Sequence, residues 1–199
     1  MRYKKVTLEN IEEFAIPLST HILKWKFELE EEQELYKEFE DQIIPLNDKA
    51  SAFLWDFEFS QKFLFLDNSD YFKETDYIFA GAKTSEEVKK WLYQRGIKFD
   101  TKVIWTSSKN HAFVLTWKMV IKFWDGIFFA SDEIIWDKTL NWVLNSHHDG
   151  VLYFSKNRIY DANKASEEIA KHNESIKEFQ DKILQKSLSS KYIPNPFRS

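Results

Sequence analysis

Residues 124–157 read WDGIFFASDEIIWDKTLNWVLNSHHDGVLYFSKN, and this stretch decides most of what the sequence indicates about the fold. It combines dense aromatic residues with clustered acids, a pair of histidines and two of the four glycines. Short apolar runs alternate in it with polar turns, a pattern typical of successive strands. We therefore predict four short strands, at residues 127–130, 133–136, 141–146 and 151–155.

The dipeptide Asp149-Gly150 is the strongest turn signal in this stretch. Between two apolar runs it favours a tight hairpin, because a type I′ turn needs positive φ at both central positions. We therefore predict an antiparallel hairpin at this point. Side chains alternate along a strand, so His147 and His148 should lie on opposite faces and could not easily bind one ion together.

A helix with two strands around it is predicted before this stretch. Thr84 precedes Glu87 by three residues, which is a capping box, and Gly96 suits the left-handed conformation that ends many helices. Apolar runs at residues 77–80 and 102–106 lie on either side. They predict a β-α-β unit with two parallel strands.

The N-terminal part of the chain gives further local predictions. Asn47 or Asp48 can cap a helix that ends near Phe57. Residues 21–27 and 62–66 have strand-like patterns.

Two other segments leave alternatives open. Residues 113–124 have helical spacing, although their β-branched and aromatic content also fits a strand. Residues 29–44 predict an amphipathic helix with a strongly acidic outer face, which either faces solvent or docks a basic partner.

Together these patterns predict an α+β fold: a mixed sheet with antiparallel C-terminal hairpin strands, covered by helices. Residues 1–161 should form a single globular domain. Residues 162–188 should form a long C-terminal amphipathic helix, packed on the domain or projecting from it, and residues 189–199 a mobile tail. Ile169, Ile176 and Ile183 are seven residues apart and could also contact a partner helix, so the oligomeric state stays open.

Composition narrows the function classes. The 199 residues include no cysteine, which excludes disulfides, thiolate metal sites and cysteine nucleophiles. The net charge of -4 does not suit a partner rich in phosphate. The charged N-terminal residues are followed by Leu8-Glu9-Asn10-Ile11 and not by an apolar run, and no stretch reaches membrane-spanning length. We therefore expect a cytoplasmic protein without nucleic-acid or membrane partners.

Signals for catalysis are weak. Four glycines cannot build a phosphate-binding loop, and no serine sits on a glycine elbow. The alternative function that the sequence leaves open is a metal-assisted hydrolase that uses His147 or His148 with nearby acids. We expect a protein that is not an enzyme and that needs no cofactor.

The motifs Ser131-Asp132-Glu133, Trp142, His148-Asp149 and Phe154 support a resemblance. In this order they resemble small bacterial proteins found as immunity partners of polymorphic toxins, over roughly residues 111–157. The resemblance implies a binding protein that blocks a toxin. The leading hypothesis is thus a protein-interaction module with an acidic and aromatic surface, an arrangement common in binding hot spots. Its candidate partner-binding residues are Asp132, Glu133, Trp142, His148 and Asp149.

Overall fold

A computed structural model describes residues 4–28, 35–66, 68–129 and 131–159. All of these belong to one compact unit, Met1–Ile159. The predicted helix at residues 162–188, the tail at residues 189–199 and the start of the predicted acidic helix lie outside the described residues.

A seven-stranded sheet forms the centre of the unit, with strand order β1-β4-β3-β5-β6-β7-β2. Its strands are β1 (Ile43–Pro45), β2 (Phe72–Phe79), β3 (Lys102–Ser108), β4 (His111–Thr116), β5 (Ile134–Trp136), β6 (Trp142–His147) and β7 (Val151–Arg158). Every pairing between these strands is antiparallel.

The α+β class is confirmed, but the prediction of a mixed sheet with a parallel β-α-β unit is wrong. Strands β2 and β3 do run in the same direction. However, β7, β6 and β5 lie between them. A strand-helix-strand pattern in the sequence indicates that its two strands run in the same direction. Whether those two strands are neighbours depends on which other strands lie between them in the sheet.

The predicted C-terminal hairpin is confirmed as β6 and β7, with a different turn. His147 pairs with Val151, so three residues, 148–150, form the loop. The Gly150 amide donates to the His147 carbonyl at 2.8 Å, and Gly150 has φ +78°. This fits the three-residue loop with a left-handed glycine better than the predicted type I′ turn.

In the described part of the chain, four α-helices cover the sheet: α1 (Asp48–Ser60), α2 (Ser85–Tyr93), α3 (Trp117–Lys122) and α4 (Trp124–Phe128). The predicted caps are confirmed. Asn47 accepts a hydrogen bond from the Ala50 amide, and Thr84 and Glu87 form a complete capping box. Gly96 follows α2 with φ +75°.

Several shorter 3-10 helices connect these elements. They are Ile11–Phe14, Leu18–Thr20, Lys24–Phe27, Leu35–Phe39, Lys62–Leu64, Ser69–Tyr71 and Ala80–Ala82. The predicted strands at residues 21–27 and 62–66 are therefore wrong.

The boundaries between strand and helix in residues 113–129 differ from the predicted boundaries. Residues up to Thr116 continue β4, and α3 begins at Trp117. Of the strand predicted at residues 127–130, Ile127 and Phe128 instead end α4, and residue 130 lies outside the described residues. Pairing of β4 with both β1 and β3 explains this division, because it satisfies the backbone up to Thr116.

Both faces of the central strands are buried, whereas most side chains of the edge strand β2 are exposed. Along β3, Ile104 faces a core formed with α1 residues such as Leu54, and Trp105 faces a second core formed with α2, α3 and α4 residues such as Leu92. Burial on both sides explains why β3 and β4 read as continuous apolar runs. No helix within the described residues is long and apolar enough to cross a membrane.

Candidate functional site

The histidine pair lies where the hairpin turn begins. His147 is the last residue of β6, and His148 is the first of the three-residue loop. Because the chain leaves the strand at His148, alternation ends there and the two rings stack on the same side, with centroids 4.0 Å apart. The prediction that they occupy opposite faces is wrong.

Asp132 fixes this turn from the segment that precedes β5. Its Oδ1 accepts a hydrogen bond from the His148 backbone amide at 2.7 Å and lies 3.0 Å from His148 Nδ1. Partial burial raises the pKa of Asp132, but the hydrogen bonds from the His148 amide and ring outweigh it, and the pKa falls below 3.8. Asp132 is therefore a charged carboxylate at neutral pH.

Asp149 contacts both rings from within the turn. Its carboxylate lies 3.2 Å from His147 Nδ1 and 3.8 Å from His148 Nε2. Two carboxylates thus flank two imidazoles at one end of the sheet.

The side chains of Asp132, His147 and His148 could hold a metal ion. Each offers one donor atom, and these atoms lie within 4.8 Å of one another. Among the residues that the structure describes, this is the one group of three or more histidines and acids that meets this condition. Two imidazoles and a carboxylate form a donor set common to zinc and related metals.

A pocket of about 430 Å³ opens beside the histidine pair. One wall contains His147 and His148, and the other contains Trp124 and Phe129, at and after α4. A second pocket of about 300 Å³ adjoins it and shares Ser85, Trp124, Asp125 and Phe129 with the first. We call the two pockets together the α4 groove.

Two exposed aromatic side chains stand at the α4 groove. Phe129 is 62% exposed and Trp25 is 47% exposed. Their rings meet edge to face with centroids 6.4 Å apart. The strand predicted at residues 21–27 would have buried Trp25.

The side chain of Lys26 supports α4 from the interior of the protein. Its buried ammonium donates to the carbonyls of Gly126 at 3.0 Å, Ile127 at 3.2 Å and Phe129 at 3.4 Å. Burial lowers the pKa of Lys26, and the nearby charge of Glu133 opposes that effect. The position of Phe129 at the groove therefore depends on a cation about one hundred residues earlier in the chain.

Glu133 lies inside the protein and not on a binding surface. It accepts hydrogen bonds from Trp105 Nε1 at 2.8 Å and from Ser131 Oγ at 2.5 Å, and it is 1% exposed. Burial raises the pKa of Glu133, and these hydrogen bonds and Lys26 oppose the rise. Its role in this structure is to pair buried donors.

Trp142 is buried as well. Its Nε1 donates to Asp137 Oδ2 at 2.8 Å, and its ring packs 5.6 Å from those of Trp117 and Phe154. Of the five candidate residues, Asp132, His148 and Asp149 therefore meet at the surface, whereas Glu133 and Trp142 lie inside.

Sequence reasoning placed His147 only in the alternative metal site and missed Trp25 and Phe129. The Asp149-Gly150 signal could have shown that His148 belongs to the turn, which brings the two rings together. No local signal marks Trp25, because its exposure follows from the burial of Lys26 next to it.

The chain matches no protein-family model, and comparisons with curated proteins and with solved structures find no significant match.

Proposed function

We propose that this chain is a non-enzymatic protein-interaction module, of the immunity type, that inhibits a toxin or binds another protein partner. Its contact surface would combine Asp132, His148 and Asp149 with Trp25 and Phe129 at the α4 groove. The cytoplasmic location and the lack of nucleic-acid partners belong to the same proposal and rest on the sequence.

The observation that carries this proposal is that the ring of Phe129 is exposed while a hydrogen bond holds its backbone. The carbonyl of Phe129 accepts a hydrogen bond from buried Lys26, while its ring is 62% exposed beside Trp25. An aromatic side chain that is already held in place loses little entropy on binding. Aromatic anchors bordered by charged groups are the common hot-spot arrangement.

Charge supports the choice of partner. Asp132 and Asp149 lie at the edge of the groove with side chains 55% and 71% exposed. Exposed carboxylates speed the encounter with a basic surface and make binding sensitive to salt. Lys83, Lys89 and Lys122 also line the α4 groove, so the favoured partner is a protein with an apolar patch whose basic groups face the Asp132 and Asp149 end.

The test measures how much of the same partner each variant recovers from cells of the native host. The tagged chain is purified at low and moderate salt, and the stoichiometric partner is identified and quantified. We expect Trp25→Ala with Phe129→Ala to lower its recovery at least tenfold at both salt concentrations, and Asp132→Asn with Asp149→Asn to lower it most at low salt, where exposed carboxylates are least screened.

The matched control is Tyr93→Ala with Phe99→Ala. These two side chains are also exposed, by 62% and 50%, and their rings lie 5.7 Å apart. They do not line either pocket of the α4 groove. Recovery of the wild-type chain alone, or equal partner recovery from both aromatic pairs, would contradict the proposal.

A metal-assisted hydrolase is the second candidate function. One observation favours it: Asp132, His147 and His148 lie together beside the larger pocket. Metal-dependent turnover of a chromogenic phosphodiester or ester that disappears in His148→Ala would support it, and equal turnover by that variant would count against it.

A further inference from the structure

We infer that Asp132, His147 and His148 bind a divalent transition metal of the zinc class at the mouth of the larger pocket. This site shares Asp132 and His148 with the proposed contact surface, but its argument does not use the exposed aromatic residues and its test does not need a protein partner. It also does not require that the chain be a catalyst.

The donor set selects the class of ion. Two imidazole nitrogens and one carboxylate oxygen suit Zn²⁺ and its neighbours, whereas Mg²⁺ and Ca²⁺ prefer oxygen ligands alone. The Asp149 carboxylate is outside this three-residue group, but it lies 3.2 Å from His147 Nδ1 and 3.8 Å from His148 Nε2 and adds negative charge beside it. With neutral imidazoles, Asp132 and Asp149 leave two negative charges that a dication would balance.

The distances require only a small adjustment. The three donor atoms lie within 4.8 Å of one another. Donors about 2 Å from a tetrahedral ion are about 3.3 Å apart, so they must close by roughly 1.5 Å at most. The side chain of His148 is 63% exposed, so its ring has room to rotate that far while Asp132 keeps its hydrogen bond to the His148 amide.

The surrounding backbone already orients two of the ligands. The His148 amide holds Asp132 Oδ1 at 2.7 Å and leaves Oδ2 for an ion. His147 is fixed at the end of β6 by its pairing with Val151. Outer contacts of this kind orient metal ligands and increase affinity.

Titration of the metal-free full chain with ZnCl₂ tests the site by calorimetry. We expect one Zn²⁺ to bind per chain, with an excess of Mg²⁺ unable to displace it. Asp132→Asn and His148→Ala should each weaken Zn²⁺ binding at least tenfold. Asp132→Asn keeps an acceptor for the His148 amide, so it separates loss of a ligand from loss of the turn.

His111→Ala is the matched control, because His111 lies in the β3–β4 hairpin and outside the three-residue group. It should bind Zn²⁺ like the wild-type chain. Zn²⁺ should also raise Tm in the wild-type chain and in His111→Ala, but not in His148→Ala, since an ion that binds only the folded state stabilises it. Absence of Zn²⁺ binding, or equal affinity in all four proteins, would overturn the inference.

Discussion

Trp105 Nε1 donates a hydrogen bond to Glu133 Oε2 at 2.8 Å, and both side chains are buried. Two similar pairs occur, Trp136 with Glu58 at 2.6 Å and Trp142 with Asp137 at 2.8 Å. A buried carboxylate is costly unless donors surround it, and a buried indole N–H needs an acceptor. These acids therefore let Trp105, Trp136 and Trp142 enter the core with their donors paired, whereas the buried Nε1 of Trp117 has no such acceptor among the described residues.

The first prediction concerns Glu133. Glu133→Ala should destabilise the fold by about 3 kcal/mol, because it leaves the buried Trp105 donor without its acceptor and removes the negative charge near the buried Lys26 ammonium. Glu133→Gln keeps an acceptor for Trp105 and should cost about 1 kcal/mol. Urea unfolding measures both values, and equal losses for the two variants would show that the hydrogen bond is not the cause.

A second prediction concerns the close approach of Gly126 to Lys26. A Cβ at Gly126 would lie 2.2 Å from the Lys26 carbonyl oxygen, so the backbone of α4 or of the Lys24–Phe27 segment must move. Gly126→Ala should cost about 3 kcal/mol through this clash. In the control Gly81→Ala the nearest atom is 3.8 Å away, and stability should change by at most about 0.5 kcal/mol. Thermal and urea unfolding compare the two variants.

Lys26→Met should loosen α4. The substitution keeps an unbranched side chain but removes the donor to the carbonyls of Gly126, Ile127 and Phe129. We expect a loss of about 2 kcal/mol and faster amide hydrogen exchange in residues 124–129. The exposed Lys73→Met is the control. Unchanged exchange in residues 124–129 would mean that Lys26 does not support the helix.

Glu58 should make the fold less stable as pH rises. Burial raises the pKa of Glu58 from 4.5 to about 7, so the unfolded chain releases this proton first. Stability should therefore fall between about pH 4.5 and pH 7, by about 3 kcal/mol at most. Glu58→Gln keeps the acceptor for Trp136 and should lose this dependence. Unfolding measured across this pH range checks it, and an unchanged slope in the variant would contradict the assignment.

His21 should act in the opposite direction. Burial, together with the charge of His111, lowers the pKa of His21 from 6.5 to about 4. The unfolded chain then binds the proton first, and stability should fall as pH decreases from about 6.5 to 4. His21→Asn should remove this loss and make the Glu58 slope steeper. If the slope of unfolding free energy against pH is the same with and without His21, the histidine is not the titrating group.

Local signals in the sequence predicted local structure well. The capping box at Thr84, the cap at Asn47 and the turn glycine at Gly96 are all present, because each depends on atoms within a few residues. The β6–β7 hairpin is present for the same reason. The strand predicted at residues 21–27 is wrong because the buried position belongs to Lys26, whose partners are the carbonyls at the end of α4.

The sequence likewise predicted only part of the candidate site. Asp132, His148 and Asp149 were identified from sequence. The turn holds His148 and Asp149 together, and the pairing of β5 with β6 brings Asp132 beside them. Glu133 and Trp142 belong to residue types that also occur in surface hot spots. In this protein both are buried, where Glu133 accepts a hydrogen bond from Trp105 and Trp142 donates one to Asp137. Local sequence does not show which acid has a buried donor nearby.

Local patterns along the chain were enough to predict the α+β class, the helix caps, the final hairpin and the segment that carries the candidate site. They could not predict that every strand pairing is antiparallel, that the rings of His147 and His148 lie on one side, or that Lys26 is buried while Trp25 is exposed. Caps and turns are set by hydrogen bonds within a few residues. Strand order and the burial of charge depend instead on partners far along the chain, which only the folded protein brings together.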